Sequence, residues 1–371
     1  MKRILPLLLA LMLLLCACKK PVNDTTPSTE ESTVPTTKAT QPTTEPEDTT
    51  VPTETEIPMP YQNPLTGEPM AEPYTGRVTA VMLNNIKAAM PQHGVSQADI
   101  LYEVLAEGGV TRCMGIFSDV GEVEKLGSIR SARKYYVDIA RGYDAMYVHA
   151  GGSPEALSYI KSIGWEDLDG TTGANASSYF YRDQSRLNAG YSLEHTLFIT
   201  GESVVDYATK LGHRLSYDNE VSFGLTFDDS AVIVGESARK VTVYFNQGGT
   251  PTSYTKSTVL TYDEDSKTYF AYQHGADYID GNTNETISFR NILILKAGTS
   301  IQSDGYHLTI NTTGSGSGYF VCNGQMVNIN WSRASVSDPF TYTLENGSPV
   351  TFGVGSTYIA VIPTNATAAF E

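Results

Sequence analysis

The sequence predicts an α+β protein with two domains: an α/β layered domain, then a mainly antiparallel β domain that forms a sandwich or a partly open barrel. Three observations support this prediction. Residues 61–371 form a longer segment than a single hydrophobic core usually stabilises. In residues 61–225, apolar strand-like runs alternate with helix signals, which is typical of layered α/β domains. In residues 226–371, short β-rich runs are separated by Gly, Asn and Asp, and helix signals are absent, which favours a sandwich or barrel.

The first domain begins with a near-continuous apolar run over residues 78–83, which suits a strand covered on both faces. Residues 96–99 match a capping box, and the apolar residues that follow recur at helical spacing. We therefore expect a helix that ends at Gly108 and carries Ala98, Leu101, Tyr102 and Leu105 on its inner face.

The rest of this domain repeats the same alternation. A proline and an acidic residue follow Ser153, which predicts that Ser153 caps a helix. Strands are expected over residues 110–117, 145–148 and 197–200, and helices over residues 132–140, 153–163 and 204–211.

The second domain consists of predicted strands joined by tight turns. Residues 263–266 are typical of a hairpin loop, and the Asn323-Gly324 pair is typical of a two-residue turn. Strands are expected over residues 240–245, 257–262, 268–272, 287–295, 306–310, 318–322 and 358–362.

The N-terminus predicts a lipoprotein signal over residues 1–17. Lys2 and Arg3 precede a short apolar run that is too short to span a bilayer, which takes about 20 residues. The run ends in Leu15-Cys16-Ala17-Cys18, which resembles the lipobox of bacterial lipoproteins. Cys18 fits the lipidated position, because Ala17 supplies the small residue before the cleavage site. Acylation, palmitate included, would anchor the chain in the bilayer; a plain secretory signal is the alternative.

Residues 18–60 then predict a disordered tether after the lipidated cysteine. The segment consists mainly of Thr, Pro, Glu and Ser, so it cannot bury enough apolar surface to offset the entropy of ordering. Fully extended, it would reach about 140 Å at roughly 3.3 Å per residue. We expect it to hold the folded part away from the outer face of the bacterial cell membrane.

Cysteines and charge narrow the possible functions. Only Cys113 and Cys322 remain in the folded part, and we interpret them as core residues in preference to a disulfide. The net charge is −16, of which the signal contributes two positive charges and the tether three basic and eight acidic residues, which leaves −13 on residues 61–371. This balance disfavours nucleic acid as a partner, although a local basic pocket is compatible with it.

Several stretches together resemble the YerB-like bacterial lipoproteins, a family with N-terminal and C-terminal domains and no assigned activity. The resemblance covers nearly all of the folded part. It implies a membrane-anchored surface lipoprotein but no reaction. The similar stretches are Pro64-Leu65-Thr66-Gly67 and residues 77–85, 91–112, 127–133, 143–156, 194–198, 262–270, 290–295 and 314–331.

Arg130 and Arg133 flank Ser131 where a helix is expected to begin. Helix N-termini favour anions, and guanidinium groups bind phosphate and carboxylate. Together with the Gly151-Gly152-Ser153 turn, these residues predict an anion-binding site. The alternative is that both arginines are satisfied internally.

His149 ends a predicted strand beside this turn, and Asn84-Asn85 end another. Ligands of open α/β sheets collect at such strand ends. His195 stands just before a further strand, at a position that matches the family. Both histidines are candidate acid–base groups, although each could equally cap a strand.

Glu103 and Glu107 lie four residues apart on the expected helix, where like charges need a cation between them. Arg112 is the candidate, and we interpret the three as a structural cluster in preference to a catalytic one. No metal-binding spacing and no cofactor motif occurs in the sequence, and Ser153 does not stand in a nucleophile elbow.

Three hypotheses follow. The first is a surface ligand-binding or regulatory protein whose ligand is an anion or an envelope polymer, bound through Arg130, Arg133 and the turn at Gly151. The second is an envelope hydrolase or transferase that uses His149 or His195 as general base, assisted by Glu103 or Glu107. The third is a scaffold for an envelope protein, bound through tyrosines of the β domain. The first is favoured over an enzyme, because no convincing nucleophile or metal set is present.

Overall fold

A single mixed sheet runs through both halves of the chain. The computed structural model describes residues 59–230, 233–246, 248, 250–252 and 255–371. The signal, Cys18, nearly all of the tether and Tyr254, one of the tyrosines on which the scaffold hypothesis depends, lie outside the described residues. In the described chain, no helix has the length and apolarity needed to cross a membrane.

From residue 59 onwards, the described N-terminal half contains short strands, four α-helices and four 3-10 turns. The 3-10 turns are Lys87–Ala89, Glu107–Gly109, Ala176–Ser178 and Leu193–His195. The α-helices are α1 Lys134–Arg141, α2 Pro154–Ile163, α3 Gln184–Asn188 and α4 Gly201–Leu211. The strands are β1 Tyr61–Gln62, β2 Pro69–Met70, β3 Thr79–Asn85, β4 Ile100–Leu105, β5 Thr111–Phe117, β6 Leu126–Gly127, β7 Met146–His149, β8 Asp167–Asp169, β9 Tyr181–Arg182 and β10 Leu197–Ile199.

The described C-terminal half is built from strands. They are β11 Glu236–Ser237, β12 Lys240–Tyr244, β13 Ser257–Asp263, β14 Thr268–Gln273, β15 Ala276–Asp277, β16 Ser288–Phe289, β17 Asn291–Ala297, β18 Thr299–Ile301, β19 Leu308–Ile310, β20 Gly314–Cys322, β21 Gln325–Arg333, β22 Thr341–Leu344, β23 Thr357–Pro363 and β24 Ala368–Phe370.

The described strands form one large sheet and several smaller ones. The large sheet has 11 strands in the order β11-β21-β20-β17-β23-β4-β5-β3-β7-β8, with β22 beside β21. A second sheet of six strands has the order β15-β14-β13-β12-β24, with β16 beside β14. The N-terminal half is thus a mixed sheet with helices and the C-terminal half is mainly antiparallel, which confirms the predicted fold class.

Strand β23 joins the two halves. It lies between β17 and β4 and is parallel to both, with Tyr358 opposite Leu101 and Ile292. All seven residues of β23 and all six of β4 are buried. The boundary that the sequence predicts at residue 225 therefore divides one continuous sheet, and the proposed domains 61–225 and 226–371 share a core.

One predicted element has the wrong type. Residues 100–105 form the strand β4, not a helix, because they are buried between β5 and β23. The residues of the expected capping box have other roles: Ser96 N–H donates to Asp280 Oδ2 at 2.8 Å, and the Asp99 carboxylate accepts from Ser118 N–H. A strand covered on both faces is continuously apolar, so periodicity cannot separate it from a helix.

Other local predictions are confirmed. Ser153 Oγ accepts a hydrogen bond from Ala156 N–H at 3.2 Å and caps α2. Asn323 and Gly324 both have positive φ, 53° and 72°, as a type I′ turn requires, and they connect β20 to β21. Cys113 and Cys322 are buried and free.

Glu103 is the centre of a polar network between the halves, which we call the junction network. Its Oε1 accepts from Thr111 Oγ1 at 2.6 Å and lies 2.8 Å from Lys256 Nζ. Its Oε2 accepts from Thr258 Oγ1 at 2.8 Å and Tyr358 Oη at 2.7 Å. Burial opposes ionisation of Glu103, but the charge and hydrogen bond of Lys256 and the hydroxyl groups outweigh it, so its pKa lies below the usual value.

Glu103→Gln is expected to lower the free energy of unfolding by about 3–5 kcal/mol, because it leaves Lys256 buried without its counter-charge. The measurement is chemical denaturation at neutral pH. Glu264→Gln is the matched control, since it breaks the exposed pair with Arg239 and should cost less than about 1 kcal/mol. Because the pKa of Glu103 is lowered on folding, the difference between wild type and Glu103→Gln should shrink as pH falls below about 4.3. Equal costs for the two variants would contradict this assignment.

A fragment of residues 59–225 is expected not to fold alone. It exposes the edge of β4 that β23 covers and removes Lys256, Thr258 and Tyr358 from Glu103. The test is far-UV circular dichroism with thermal unfolding of the fragment alone and after co-expression with residues 226–371. Co-expression should restore a cooperative transition. A cooperative transition of the isolated fragment would show that the halves are independent domains.

Candidate ligand-binding site

The two stretches that carry the predicted anion site lie side by side. Ala150 N–H donates to the Arg130 carbonyl at 3.0 Å, and Ala132 N–H donates to the Gly151 carbonyl at 2.8 Å. Ser153 N–H donates to the Ala132 carbonyl at 3.2 Å. This pairing uses backbone groups of the turn, Gly152 included, to hold α2 against the segment that leads into α1.

Arg133 is not free to bind an anion, because it forms a buried ion pair with Glu107. Its Nε lies 2.7 Å from Glu107 Oε1 and its Nη2 lies 2.9 Å from Oε2. Arg112 adds a second cation at 3.6 Å from Oε2 and also donates to the Ser131 carbonyl. Burial raises the pKa of Glu107, but the bonds and charge of Arg133 and the charge of Arg112 outweigh it, so the pKa is lowered.

This cluster also changes two expectations for individual residues. Glu103 and Glu107 do not share a helix face, since Glu103 lies in β4 and Glu107 in the following 3-10 turn. Arg112 pairs with Glu107 as expected, but the cation at Glu103 is Lys256. Helix α1 begins at Lys134, after Arg133 as its N-cap residue, so Ser131 precedes the cap.

Arg130 and His195 lie beside Glu194, and Asn84 contacts His195. Arg130 Nη2 lies 2.8 Å from Glu194 Oε2, and His195 Nε2 lies 3.6 Å from Oε1. The other ring nitrogen of His195 is 2.9 Å from Asn84 Nδ2. Burial lowers the pKa of His195 against the opposing charge of Glu194, so the ring is neutral at neutral pH.

His149 is separate from this group and is fully buried. Its Nδ1 lies 2.8 Å from the Gly151 carbonyl and its Nε2 lies 2.9 Å from Asp167 Oδ2. Both ring nitrogens therefore have partners within the fold. The two histidines, which the enzyme hypothesis uses as acid–base groups, do not share a hydrogen-bonding group.

Asn85 belongs to the junction network. Its Nδ2 donates to Glu103 Oε1 and to Thr111 Oγ1, both at 2.9 Å. Its Oδ1 accepts from Gln273 Nε2 at 3.0 Å. The two asparagines that end β3 thus have different surroundings, because Asn84 faces His195 and Asn85 faces the C-terminal half.

A cleft follows the junction of the two halves, and we call it the junction cleft. One part, of about 610 Å³, lies between the turn Glu107–Gly109 and the β18–β19 hairpin, with Tyr306 on its rim. The other part, of about 580 Å³, lies between the same turn and His274. Gly108, Gly109, Thr255 and Lys256 line both parts.

Of the predicted site residues, Asn85 and Glu107 line this cleft. Lys256, Thr255 and the β18–β19 hairpin lie outside the site that the sequence predicts. The sequence predicts a strand at Tyr306, whereas the structure places it in the hairpin turn, 60% exposed. An exposed tyrosine cannot be distinguished from a core tyrosine before the register of the strands is known: Tyr269 and Tyr278 are buried, while Tyr272 is exposed.

Arg133→Ala is expected to lower the free energy of unfolding by about 3 kcal/mol, because Glu107 stays buried after losing its bidentate ion pair with Arg133. Arg130→Ala is the matched control. Its partner Glu194 is about half exposed, so its loss should cost less than about 1 kcal/mol. Chemical denaturation of both variants is the measurement. Similar costs would show that the Arg133–Glu107 pair is not structural.

Comparisons with known proteins match almost the whole folded part. The N-terminal domain of the "Protein of unknown function (DUF3048)" family matches residues 65–214, and the C-terminal domain matches residues 241–359. "Putative lipoprotein YerB" from Bacillus subtilis (strain 168) is 28% identical over 301 residues, which are 81% of this chain and 86% of that protein.

The fold is also similar to a solved structure. The crystal structure of YerB protein from Bacillus subtilis has a TM-score of 0.71 and 26% sequence identity, and the match covers 83% of this chain and 99% of that chain. The order of the two domain matches agrees with the stretches that carry the resemblance in the sequence. The chain belongs to the YerB-like family.

Proposed function

We propose that this chain is a membrane-tethered lipoprotein of the cell surface that binds a ligand in the junction cleft. The signal, the lipobox ending at Cys18 and the name of the Bacillus subtilis relative support the tether. The binding role is supported by the cleft itself, which is lined by residues of both halves of the chain. Clefts between domains are preferred positions for ligand sites.

The junction network supports this role because it fixes the walls of the cleft. Lys256 lines the cleft and binds Glu103 of β4. Its neighbour Thr258 binds the same carboxylate. A preorganised site loses less conformational entropy when its ligand binds.

The anion-site hypothesis retains Arg130, because Arg112 and Arg133 are both bound to Glu107. The enzyme hypothesis is weakened because His149 is buried and both its ring nitrogens have partners. The scaffold hypothesis has one supporting observation: Phe270 and Tyr272 lie on the same face of β14 and are both exposed. We favour the junction cleft because it is large enough for a ligand and because the junction network holds its walls in place.

The proposal predicts that envelope material protects the cleft. The full chain in detergent micelles is incubated with a soluble muramidase digest of bacterial envelopes, and amide hydrogen exchange is measured. Protection is expected at residues 105–110 and 299–308. Ile301→Asp should abolish it by placing a charge on the apolar wall, whereas Val234→Asp, at an exposed valine outside the cleft, should not. Protection confined to residues 130–133 and 149–153 would favour the anion site and overturn the proposal, as would no protection at all.

A further inference from the structure

A small apolar pocket adjoins the smaller part of the junction cleft, and we call it the side pocket. It has a volume of about 200 Å³ and lies between the segment that follows β3 and the β14–β15 hairpin. The structure describes every residue of both walls. Met90, Pro91 and Ile279 supply apolar groups to the lining. Lys87 and His274 line both the side pocket and the smaller part of the cleft, so the two spaces meet at these residues.

Hydrogen bonds fix the wall that follows β3. Arg186 Nη1 donates to the Ala89 carbonyl at 2.9 Å, and its Nη2 donates to the Pro91 carbonyl. Tyr191 Oη donates to the Met90 carbonyl at 3.0 Å. Three consecutive carbonyl groups are thus bound to side chains of the N-terminal half, which holds this backbone in place.

The opposite wall is tied to the same segment. Gln273 Nε2 donates to Asn85 Oδ1 at 3.0 Å, and His274 Nε2 lies 3.2 Å from the Asn85 carbonyl. Tyr278 Oη donates to Gln92 Oε1. Both walls are therefore held in place before a ligand binds, which reduces the conformational entropy lost on binding.

Two polar side chains of the lining are already paired within the fold. Gln273 Oε1 accepts from Lys256 Nζ at 2.8 Å, so both ends of this amide have partners. The Tyr278 hydroxyl is bound to Gln92. An apolar cavity of about 150 Å³ stays dry and holds a molecule the size of benzene. The side pocket therefore has the size and the lining to accept a phenyl ring or a branched alkyl group of similar size.

The charges around the smaller part of the cleft favour an anion. Its described lining contains Lys87 and Lys256 but no aspartate or glutamate, and Lys256 is already bound to Glu103. Lys87 is exposed and forms no ion pair within the described chain. Burial lowers the pKa of His274, and the charges of Lys256 and Lys87 lower it further, so this ring is neutral at neutral pH. Lys87 is thus the cation that this lining leaves without a counter-charge.

Asp277 determines the direction in which an anion fits. It lines the side pocket but not the smaller part of the cleft. A carboxylate beside Asp277 would be repelled, whereas a carboxylate in the smaller part meets Lys87 and no acidic side chain of the described lining. A ligand meets both conditions when its apolar group lies in the side pocket and its carboxylate lies in the smaller part.

We propose that the side pocket and the adjoining smaller part of the cleft bind a small carboxylic acid whose apolar group is about the size of a phenyl ring. The apolar group occupies the side pocket, and the carboxylate lies at Lys87. This inference rests on the proposed function, since it names a ligand class for one part of the same cleft. An exposed lysine contributes at most about fivefold to the affinity, so burial of the apolar group supplies most of the binding free energy.

The test uses NMR of the full chain in detergent micelles, labelled with ¹³C-methyl methionine, because Met90 lines the side pocket. Met90→Leu identifies its signal among those of the nine methionines. Phenylacetate, phenylacetamide and phenethylamine carry the same ring with a negative, no and a positive charge, and acetate lacks the ring. Phenylacetate should shift the Met90 signal saturably, with an affinity about threefold to fivefold higher than that of phenylacetamide. Phenethylamine should bind more weakly than the amide, and acetate should cause no shift.

Lys87→Gln separates the charge from the rest of the pocket. It should remove the preference for phenylacetate over phenylacetamide and leave the affinity for the amide unchanged, since only the ion pair is lost. Lys210→Gln is the matched control, because Lys210 is an exposed lysine of α4 outside both spaces, and it should keep the preference. The proposal is wrong if phenylacetate causes no saturable shift, if phenethylamine binds more tightly than phenylacetate, or if Lys87→Gln keeps the preference.

The hydrogen-exchange experiment separates this proposal from the proposed function. Protection of residues 105–110 and 299–308 without a saturable shift at Met90 would remove only the carboxylic acid as a ligand. A saturable shift that depends on Lys87, without any such protection, would support the side pocket as a binding site and would overturn the binding of envelope material in the cleft.

Discussion

Burial of the Glu103 carboxylate ties the assembly of the two halves to a single charge. An ion of this size loses several kcal/mol of solvation when it enters a protein interior. Here the loss is offset by groups from distant parts of the chain: Thr111 from β5, Lys256 and Thr258 from the C-terminal half, and Tyr358 from β23. The halves must therefore be assembled for the charge to be satisfied. The same contacts set the distance between the turn at Gly108 and the wall at Lys256, which defines the cleft.

A similar argument explains why Arg133 is not available in the predicted anion-binding site. The sequence places Arg130 and Arg133 close together. It does not show that Arg133 contacts Glu107, which lies 26 residues earlier in the chain. A buried guanidinium needs an acceptor, and in a chain with a large excess of acidic residues such acceptors are available. Arg133 was therefore the less accessible of the two arginines for a reason that only the tertiary structure contains.

The sequence predicted elements whose signals are local. The Ser153 cap, the Asn323-Gly324 turn and most strands of the C-terminal half depend on neighbouring residues alone, and the structure has them close to where they were expected. β4 was predicted as a helix because a strand buried on both faces is continuously apolar, and the strand β23 that completes its burial is more than 250 residues away in sequence. The junction cleft was missed for the same reason, since its walls at Glu107, Lys256 and Tyr306 come from three separate segments. Long-range pairing, not local propensity, determined both.

The charged side chains that stabilise the fold also determine the character of the cleft. Among the described residues, the two charged side chains that line the larger part of the cleft form ion pairs within the fold: Lys256 with Glu103, and Glu107 with Arg133. A part of the cleft whose charges already serve the fold can select a ligand only through shape, apolar contact and hydrogen bonds. Tyr306 and Ile301 are exposed and line the larger part of the cleft. A ligand that covered them would remove their apolar surface from water, which is a contribution to binding that does not depend on the paired charges.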